Sequence, residues 1–239
     1  LKAHYPTAFM AALLTSEMDN TDKVVKYIDE IKRMDIALLP PSVSASSVDF
    51  RPAKTEDGKE AILFGLGAVK GVGAAALQSI LEERQKEPFV DLGDFLSRID
   101  SQKANKKVLE SLIKSGSMDN FGYTRKTLLF NVEALVEAAH ESSRAKKEAV
   151  GSLFGDDEEM VKANISISDI PEYALKEILE FEKETLGFYV SGHPLDSYRD
   201  ELAKINYTLS SELEDLADGS DTMIIGRVEE IKTKISKKN

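Results

Sequence analysis

The chain has 239 residues, of which 42% are hydrophobic, and its formal net charge at neutral pH is −11. It contains no cysteine, which excludes a disulfide framework and thiolate metal ligands, and no apolar run approaches the roughly 20 residues that cross a bilayer. Since the first residue is Leu1 and the chain stops in a basic run, we expect both ends to be cuts through a longer polypeptide.

Helices and one β-hairpin are predicted in the first half of the chain. Apolar periodicity predicts helices at residues 5–18, 19–34, 74–84, 92–99 and 105–116. Asn20 or Thr21 can cap the second helix, and Gly116 ends the last. Strand-like segments at 47–52 and 61–65 flank Asp57-Gly58, a residue pair that favours a tight turn. We therefore expect a short hairpin among helices.

The second half predicts longer helices and one terminal strand. Helices are predicted at residues 124–149, 172–187 and 195–205, separated by a glycine- and acid-rich loop at 151–160. Pro171 lies near the start of the second of these helices and Gly187 closes it. β-Branched residues at 222–235 predict a strand. The expected fold class is mainly α.

The charge is unevenly distributed along the chain. Residues 131–225 hold eight basic and 22 acidic side chains, a net charge of −14. Residues 101–130 are basic instead. Their charged side chains are Lys103, Lys106, Lys107, Lys114, Arg125 and Lys126 against Glu110 and Asp119. A local basic surface is therefore compatible with an acidic chain.

The stretch Gly71-Val72-Gly73 precedes a helix and fits the pattern G-x-G-x-x-A of dinucleotide-binding turns. The segment before it is interrupted by Gly65 and Gly67, and no strand with an acidic residue follows, so this interpretation is disfavoured. A P-loop is excluded because no Gly-Lys-Ser/Thr follows the glycines. A short helix at 67–70, the glycine turn and the helix from residue 74 instead predict a helix-hairpin-helix, whose N–H groups bind phosphate.

A second such unit is predicted at Ser115-Gly116-Ser117, with Arg125 and Lys126 flanking the next helix. Two units can hold both strands of a duplex by the backbone, without reading bases. The alternative is that both glycine turns only end packed helices.

The histidines are not spaced as metal ligands are: they stand at His4, His140 and His193. No metal site and no catalytic set is expected.

Several stretches resemble a known family in order and over nearly the whole chain. They are "LKAHYPTAFMAALLTSEMDNTDKVVKYIDEIKRM", "LLPPSVSASSVDF", "GLGAVKGVG", "VLESLIKSGSMDNFG" and "ETLGFYVSGHPLD". These residues resemble the bacterial replicative DNA polymerase III alpha subunits, which are C-family DNA polymerases. The terminal "MIIGRVEEIKTKISKKN" is similar to the first strands of the family's OB domain.

The resemblance implies a domain organisation. Residues 1–53 would be the C-terminal part of the fingers, and residues 54–130 the β-hairpin and tandem helix-hairpin-helix that bind DNA. Residues 131–220 would be a helical connector, and residues 221–239 the start of the OB-fold. The palm with its metal-binding aspartates would lie upstream. The whole protein would then be a Mg²⁺-dependent DNA-directed DNA polymerase, a nucleotidyltransferase, while this section would need no cofactor and be inactive alone.

The resemblance also implies partners and a location. The expected partners are double-stranded primer-template DNA, the sliding clamp (beta subunit) and other replicase subunits, in the bacterial cytoplasm at the nucleoid and not at a membrane. The expected DNA-binding residues are Lys70, Gly71, Val72, Gly73, Lys106, Lys107, Gly116, Ser117, Arg125 and Lys126. The family's clamp-binding pentapeptide begins with glutamine and ends in Leu-Phe or Met-Phe. The matching residues here are Val150, Gly151, Ser152, Leu153 and Phe154, so the apolar anchors are kept and glutamine is replaced by Val150.

Two other functions compete with the replicative one. A helix-hairpin-helix glycosylase would need a catalytic Lys or Asp after the hairpin, where Ala74-Ala75-Ala76 stands. A stand-alone helical scaffold of a repair or recombination protein would explain the acidic segment but not the hairpin beside a basic cluster.

Overall fold

The computed structural model describes residues 1–151, 167–228, 231 and 233. The chain divides into two compact units, Leu1–Ser191 and Gly192–Asn239. The predicted fingers end, the hairpin region and most of the predicted connector therefore share the first unit. The functional boundaries proposed from the resemblance remain predictions.

The first unit begins with two packed helices. Helix α1 spans Pro6–Ser16 and α2 spans Thr21–Arg33. The Asn20 side chain accepts a hydrogen bond from the Lys23 amide over 3.2 Å, which satisfies one free donor of the first turn. Val24, Ile28 and Ile31 are buried at helical spacing, which agrees with the apolar periodicity that predicted this helix.

A three-stranded sheet follows, with strand order β1-β3-β2. Its strands are β1 (Ala37–Leu39), β2 (Arg51–Lys54) and β3 (Glu60–Leu63). The antiparallel pairing of β2 with β3 confirms the predicted hairpin, whose turn holds Gly58 at φ +83°. Strand β1 pairs with β3 in parallel and was not predicted. It has only three residues, too few to show alternation, and its partner lies more than 20 residues further along the chain.

Six α-helices follow among the described residues of the unit. They are α3 (Ala74–Lys86), α4 (Leu92–Arg98), α5 (Lys106–Lys114), α6 (Arg125–Phe130), α7 (Val132–Gly151) and α8 (Leu175–Thr185). The single helix predicted over residues 124–149 is interrupted at Asn131, where φ and ψ are −101° and 12°. The Asn131 side-chain amide also donates to the Thr127 carbonyl over 2.8 Å, a local bond that competes with a regular helix.

One hydrophobic core joins helices α1–α7 to the sheet, and Leu186 and Phe188, just after α8, belong to it as well. Phe64, which follows β3, packs against Phe50 with ring centroids 4.6 Å apart and against Phe188 at 5.6 Å. Phe188 follows α8, so the chain beyond that helix returns to the sheet. The first and last parts of the unit are thereby held on the same core.

In its described residues, the second unit has little regular structure. A 3-10 turn at Asp196–Tyr198 and helix α9 (Arg199–Leu202) replace the longer helix predicted at 195–205, and a 3-10 helix follows at Ser210–Asp215. Residues 221–228 form no strand, although the Thr208 amide donates to the Met223 carbonyl over 2.9 Å. The predicted strand is wrong for these residues, and the assignment to an OB-fold stays a prediction. Among the described helices, none is both long and apolar enough to span a bilayer.

Candidate nucleic-acid interface

The first predicted hairpin lies between a 3-10 helix and an α-helix. The 3-10 helix spans Leu66–Ala68, and the Val72 amide then donates to the Val69 carbonyl over 3.3 Å to close a turn. Gly71 in this turn has φ +88°, in the left-handed region that glycine favours. Helix α3 starts directly after Gly73. The predicted glycine turn and second helix are therefore present, whereas the first helix, predicted at 67–70, is a 3-10 helix of three residues.

One residue of this turn is buried and anchors it to the core, and the other two are exposed. Val72 is buried in the core, whereas Gly71 and Gly73 are exposed. A side chain at Gly71 would overlap the Ser111 hydroxyl on α5, so glycine is required there for close packing. A Cβ atom at Gly73 would have no neighbour within 4 Å. The space in front of Gly73, at the start of α3, is thus open.

The open space is lined by backbone donors. In residues 1–151 and 167–228, no hydrogen bond uses the N–H of Gly71 or Gly73. Ala74 and Ala75, the first residues of α3, are also exposed. The first amides of a helix have no acceptor within it, and the helix dipole places partial positive charge there. This arrangement is suited to binding an anion such as a phosphate.

The predicted basic residues near this turn differ in their surroundings. Lys70 is exposed at the turn itself. Lys107 is exposed on α5, one helical turn before Ser111, and so lies on the face that contacts Gly71. Lys106 instead forms an ion pair with Glu133 over 2.8 Å. The hydrogen bond from Lys106 to Glu133 and the charge of Glu133 raise the pKa of Lys106.

Lys126 is the remaining lysine of the predicted DNA-binding set, and it is half-buried instead of fully exposed. Its ammonium group lies 5.2 Å from the centre of the Tyr173 ring, and its backbone amide donates to Glu172 over 3.1 Å. These contacts hold Lys126 against the segment that precedes α8. Of the predicted lysines, Lys70 is therefore the one in the turn itself, and Lys107 is the exposed one on the helix face that carries Ser111.

The structure corrects the prediction of a second phosphate-binding turn at Gly116 and Ser117. Gly116 has φ +77°, and its amide donates to the Ile113 carbonyl over 3.0 Å. The Ser117 amide donates to the Leu112 carbonyl over 2.9 Å. These two bonds form a Schellman motif, which closes α5. Ser117 is fully buried. Both donors are used within the chain, so here the alternative of a simple helix end holds.

Arg125 is also not available to DNA, contrary to the prediction. Only 5% of this residue is exposed. Its guanidinium group pairs with Asp119 over 2.9 Å and with the fully buried Glu182 over 3.2 Å, and it also donates to the Lys114 carbonyl. Burial alone would lower the pKa of Arg125, but the hydrogen bonds and charges of Asp119 and Glu182 raise it. Arg125 is a buried cation that holds α6 to α8.

The predicted clamp-binding residues fall at the end of the described part. Val150 and Gly151 belong to the end of α7, while Ser152, Leu153 and Phe154 lie outside the described residues. Clamp binding therefore remains a prediction from the resemblance.

Two contacts that hold the first turn in place come from residues distant in the chain, and the sequence did not predict them. The Thr185 carbonyl at the end of α8 accepts the Lys70 amide over 2.8 Å, and Ser111 packs on Gly71. No local pattern indicates either contact.

The burial of Glu182, by contrast, was indicated in the sequence, because Glu182 lies on the same helical stripe as the buried Leu179 and Leu186. A charged residue on an apolar stripe indicates a buried partner.

Comparison with known proteins shows what this chain is similar to. The helix-hairpin-helix motif family matches residues 35–128, which include the Gly71 and Gly116 turns. DNA polymerase III subunit alpha of Campylobacter jejuni is 46% identical over the whole of this chain. The chain matches a section of DNA polymerase III subunit alpha. The subunits of Helicobacter pylori strain J99 (whole chain) and of Vibrio cholerae (85% of the chain) are each 42% identical.

The match to the DNA polymerase III alpha subunits covers only part of those proteins. The chain spans about a fifth of the length of the curated relatives it matches: 20% of the Campylobacter jejuni and Helicobacter pylori proteins and 17% of the Vibrio cholerae protein. Within the described residues, no group of three or more His, Asp or Glu side chains is arranged to hold a metal ion.

Proposed function

We propose that this chain is a section of a replicative DNA polymerase that holds duplex DNA by its sugar-phosphate backbone. The observation that carries the proposal is the pair of exposed glycines in this turn, Gly71 and Gly73, whose amides are unpaired in the described chain and stand at the positive end of α3. The match of this region to the helix-hairpin-helix motif supports it.

The proposed contact is made by backbone groups and two lysines. The Gly71 and Gly73 amides donate to one phosphate, and Lys70 and Lys107 neutralise charge around it. Contacts of this kind position a protein on DNA without reading sequence. We expect a dissociation constant on the order of 10⁻⁴ to 10⁻⁶ M at physiological salt, falling with decreasing salt.

We propose one phosphate-binding turn in place of the two that the sequence predicted. The Gly116 turn is closed by its own helix, so the described chain supports one open turn rather than two. The role we propose for the second turn is to fix α5 and α6 behind the first. DNA affinity of this chain then depends on one turn and its lysines.

Sliding-clamp binding is proposed separately, on the resemblance of residues 150–154 to the family's pentapeptide. Leu153 and Phe154 would fill an apolar pocket of the clamp, with Val150 in place of the polar first residue. Contacts with other replicase subunits and a Mg²⁺-dependent polymerase activity belong, in this proposal, to the whole alpha subunit. A stand-alone repair scaffold is less favoured, because the matches to polymerase III run along the whole chain.

A salt series tests the DNA proposal. Fluorescence anisotropy of a labelled duplex of mixed sequence is measured against the chain from low to physiological salt. We expect binding that weakens with salt and is equal for a second duplex of unrelated sequence. Undetectable binding at low salt, or a strong preference for one of the duplexes, would contradict the proposal.

A further inference from the structure

The end of helix α8 is joined directly to the turn that we propose binds DNA. Thr185 is the last residue of α8, and its carbonyl has no acceptor role within the helix. It accepts the Lys70 amide over 2.8 Å, immediately before the left-handed Gly71. The turn therefore takes its position partly from a helix more than 100 residues further along the chain.

Glu182 fixes the last turn of α8 from inside the protein. One carboxylate oxygen accepts the backbone amides of Val190 and Ser191 over 2.7 and 2.9 Å. The other accepts from the Arg125 guanidinium over 3.2 Å and from the Ser191 hydroxyl. A fully buried carboxylate is costly unless its oxygens are satisfied, and these donors satisfy both.

Gly187 adds a third connection at the same end of α8. It has φ +91°, and its amide donates to the Lys183 carbonyl over 3.2 Å, which ends the helix. A side chain at Gly187 would overlap the Thr21 methyl group at the start of α2. The end of α8 is thus enclosed by α2, by the turn at Lys70 and by the chain that returns to Glu182.

We propose that Glu182 is a positioning residue for the DNA-binding turn, acting through the last turn of α8 and the Thr185–Lys70 hydrogen bond. This proposal rests on the proposed function. Glu182 does not contact DNA. It orients the Thr185 carbonyl by binding Arg125 on one side and the Val190–Ser191 backbone on the other, and the carbonyl in turn holds the Lys70 amide.

The substitution Glu182→Gln breaks one of the two sets of hydrogen bonds to this side chain and can keep the other. An amide group has one acceptor oxygen and one donor nitrogen, whereas the carboxylate accepts on both sides. Glutamine can accept from Val190 and Ser191 or from Arg125, and its nitrogen must then face the other set of donors. The side chain keeps its size, so one set of bonds is lost without a cavity.

The loss of negative charge in Glu182→Gln acts on DNA binding in the opposite direction to the expected loss of affinity. Removing a negative charge from this acidic chain by itself favours DNA binding. The matched control is Glu180→Gln, which removes the same charge from an exposed position on the same helix. We expect Glu182→Gln to weaken duplex binding about tenfold, the worth of one hydrogen bond to a charged group. We expect Glu180→Gln to leave binding unchanged or to strengthen it.

Amide hydrogen exchange gives a second readout that needs no DNA. In Glu182→Gln, exchange at the Lys70 amide should become faster, while exchange at the buried Leu109 amide on α5 stays as in the wild type. If Glu182→Gln does not fold, Ser191→Ala removes only the hydroxyl donor and should show both effects more weakly. Wild-type exchange at Lys70, or wild-type duplex affinity, in a folded variant overturns the proposal.

Failure of the proposed function is distinguishable from failure of this inference. If the wild-type chain does not bind duplex at low salt, the DNA proposal is wrong whatever the variants do. The exchange rate at Lys70 still reports whether Glu182 holds the turn. Loss of protection at Lys70 with unchanged duplex affinity would mean that the turn is positioned by Glu182 but does not bind DNA through that position.

Discussion

Gly71 packs so closely on Ser111 that a methyl group at its α-carbon would overlap the Ser111 hydroxyl. Gly73, two residues later, has φ −70° and no atom within 4 Å of the place where a Cβ would lie. The first glycine is therefore required by the fold. The second leaves room for a ligand at the start of α3.

Substitution at Gly73, the N-cap of α3, should affect binding more than stability. Gly73→Val fits the backbone conformation, but its side chain would occupy the space proposed for a phosphate. We expect duplex affinity to fall about tenfold or more, as for a lost hydrogen bond to a charged group. The control is Gln85→Val, an exposed position at the other end of the same helix. Fluorescence anisotropy with the labelled duplex measures both variants, and wild-type binding by Gly73→Val in a folded chain would mean that the turn is only a helix start.

Substitution at Gly71 should affect stability first. Gly71→Ala places a side chain at φ +88° and against Ser111, and we expect a loss of about 1–3 kcal/mol in the free energy of unfolding. Urea denaturation followed by circular dichroism measures this loss. Gly58→Ala is the matched control, because Gly58 has φ +83° with no neighbour within 4 Å. A loss no larger than that of the control would show that packing on Ser111 does not matter.

The lysines around the turn should contribute unequally to DNA binding. Lys107→Ala should reduce the slope of log K against log salt by about 0.9, the value for one neutralised phosphate. Lys106→Ala should change the slope less, because Glu133 already pairs with that ammonium group. Glu133→Gln should free Lys106 and strengthen binding at low salt. Equal slopes for Lys106→Ala and Lys107→Ala would contradict this assignment.

Arg125 should behave as a buried ion-pair residue and not as a surface cation. Arg125→Ala leaves the buried carboxylate of Glu182 without its charge partner, and we expect a loss of about 3–5 kcal/mol in the free energy of unfolding. Lys126→Ala, the neighbouring change of the same charge, should cost less than about 1 kcal/mol. Urea denaturation of both variants measures this difference. Similar stabilities would mean that the Arg125 ion pairs contribute little.

Clamp binding is testable on residues 150–154. Phe154→Ala should weaken binding to the sliding clamp by about 2 kcal/mol or more, as expected for an apolar anchor in a partner's pocket. Val150→Gln should strengthen it, since glutamine restores the family's polar contact. Phe130→Ala is a matched control because Phe130 is an exposed phenylalanine outside this stretch, 78% exposed. Unchanged affinity in a Leu153→Ala, Phe154→Ala double variant, measured by surface plasmon resonance, would show that these residues are not the contact.

The sequence by itself determined the features that depend on neighbouring residues. Asn20 caps α2, Asp57-Gly58 turns the hairpin, and Gly187 ends α8, because capping bonds and positive φ values are set within a few residues. The helix-hairpin-helix at Gly71–Gly73 was predictable for the same reason. The order of matching stretches also indicated the DNA polymerase III alpha subunits, to a section of which the chain is similar.

Only the tertiary structure decided which glycine turn is open and which cations are exposed. Gly71 and Gly116 have similar φ values, yet the second turn is closed and buried while the Gly71 and Gly73 amides of the first remain free in the described chain. Arg125 and Lys107 are both basic residues of one short stretch, and the burial of Arg125 follows from Glu182, which is 57 positions away. Exposure depends on what packs on a residue from elsewhere in the chain. Such contacts leave no periodic or local signal at the residue itself.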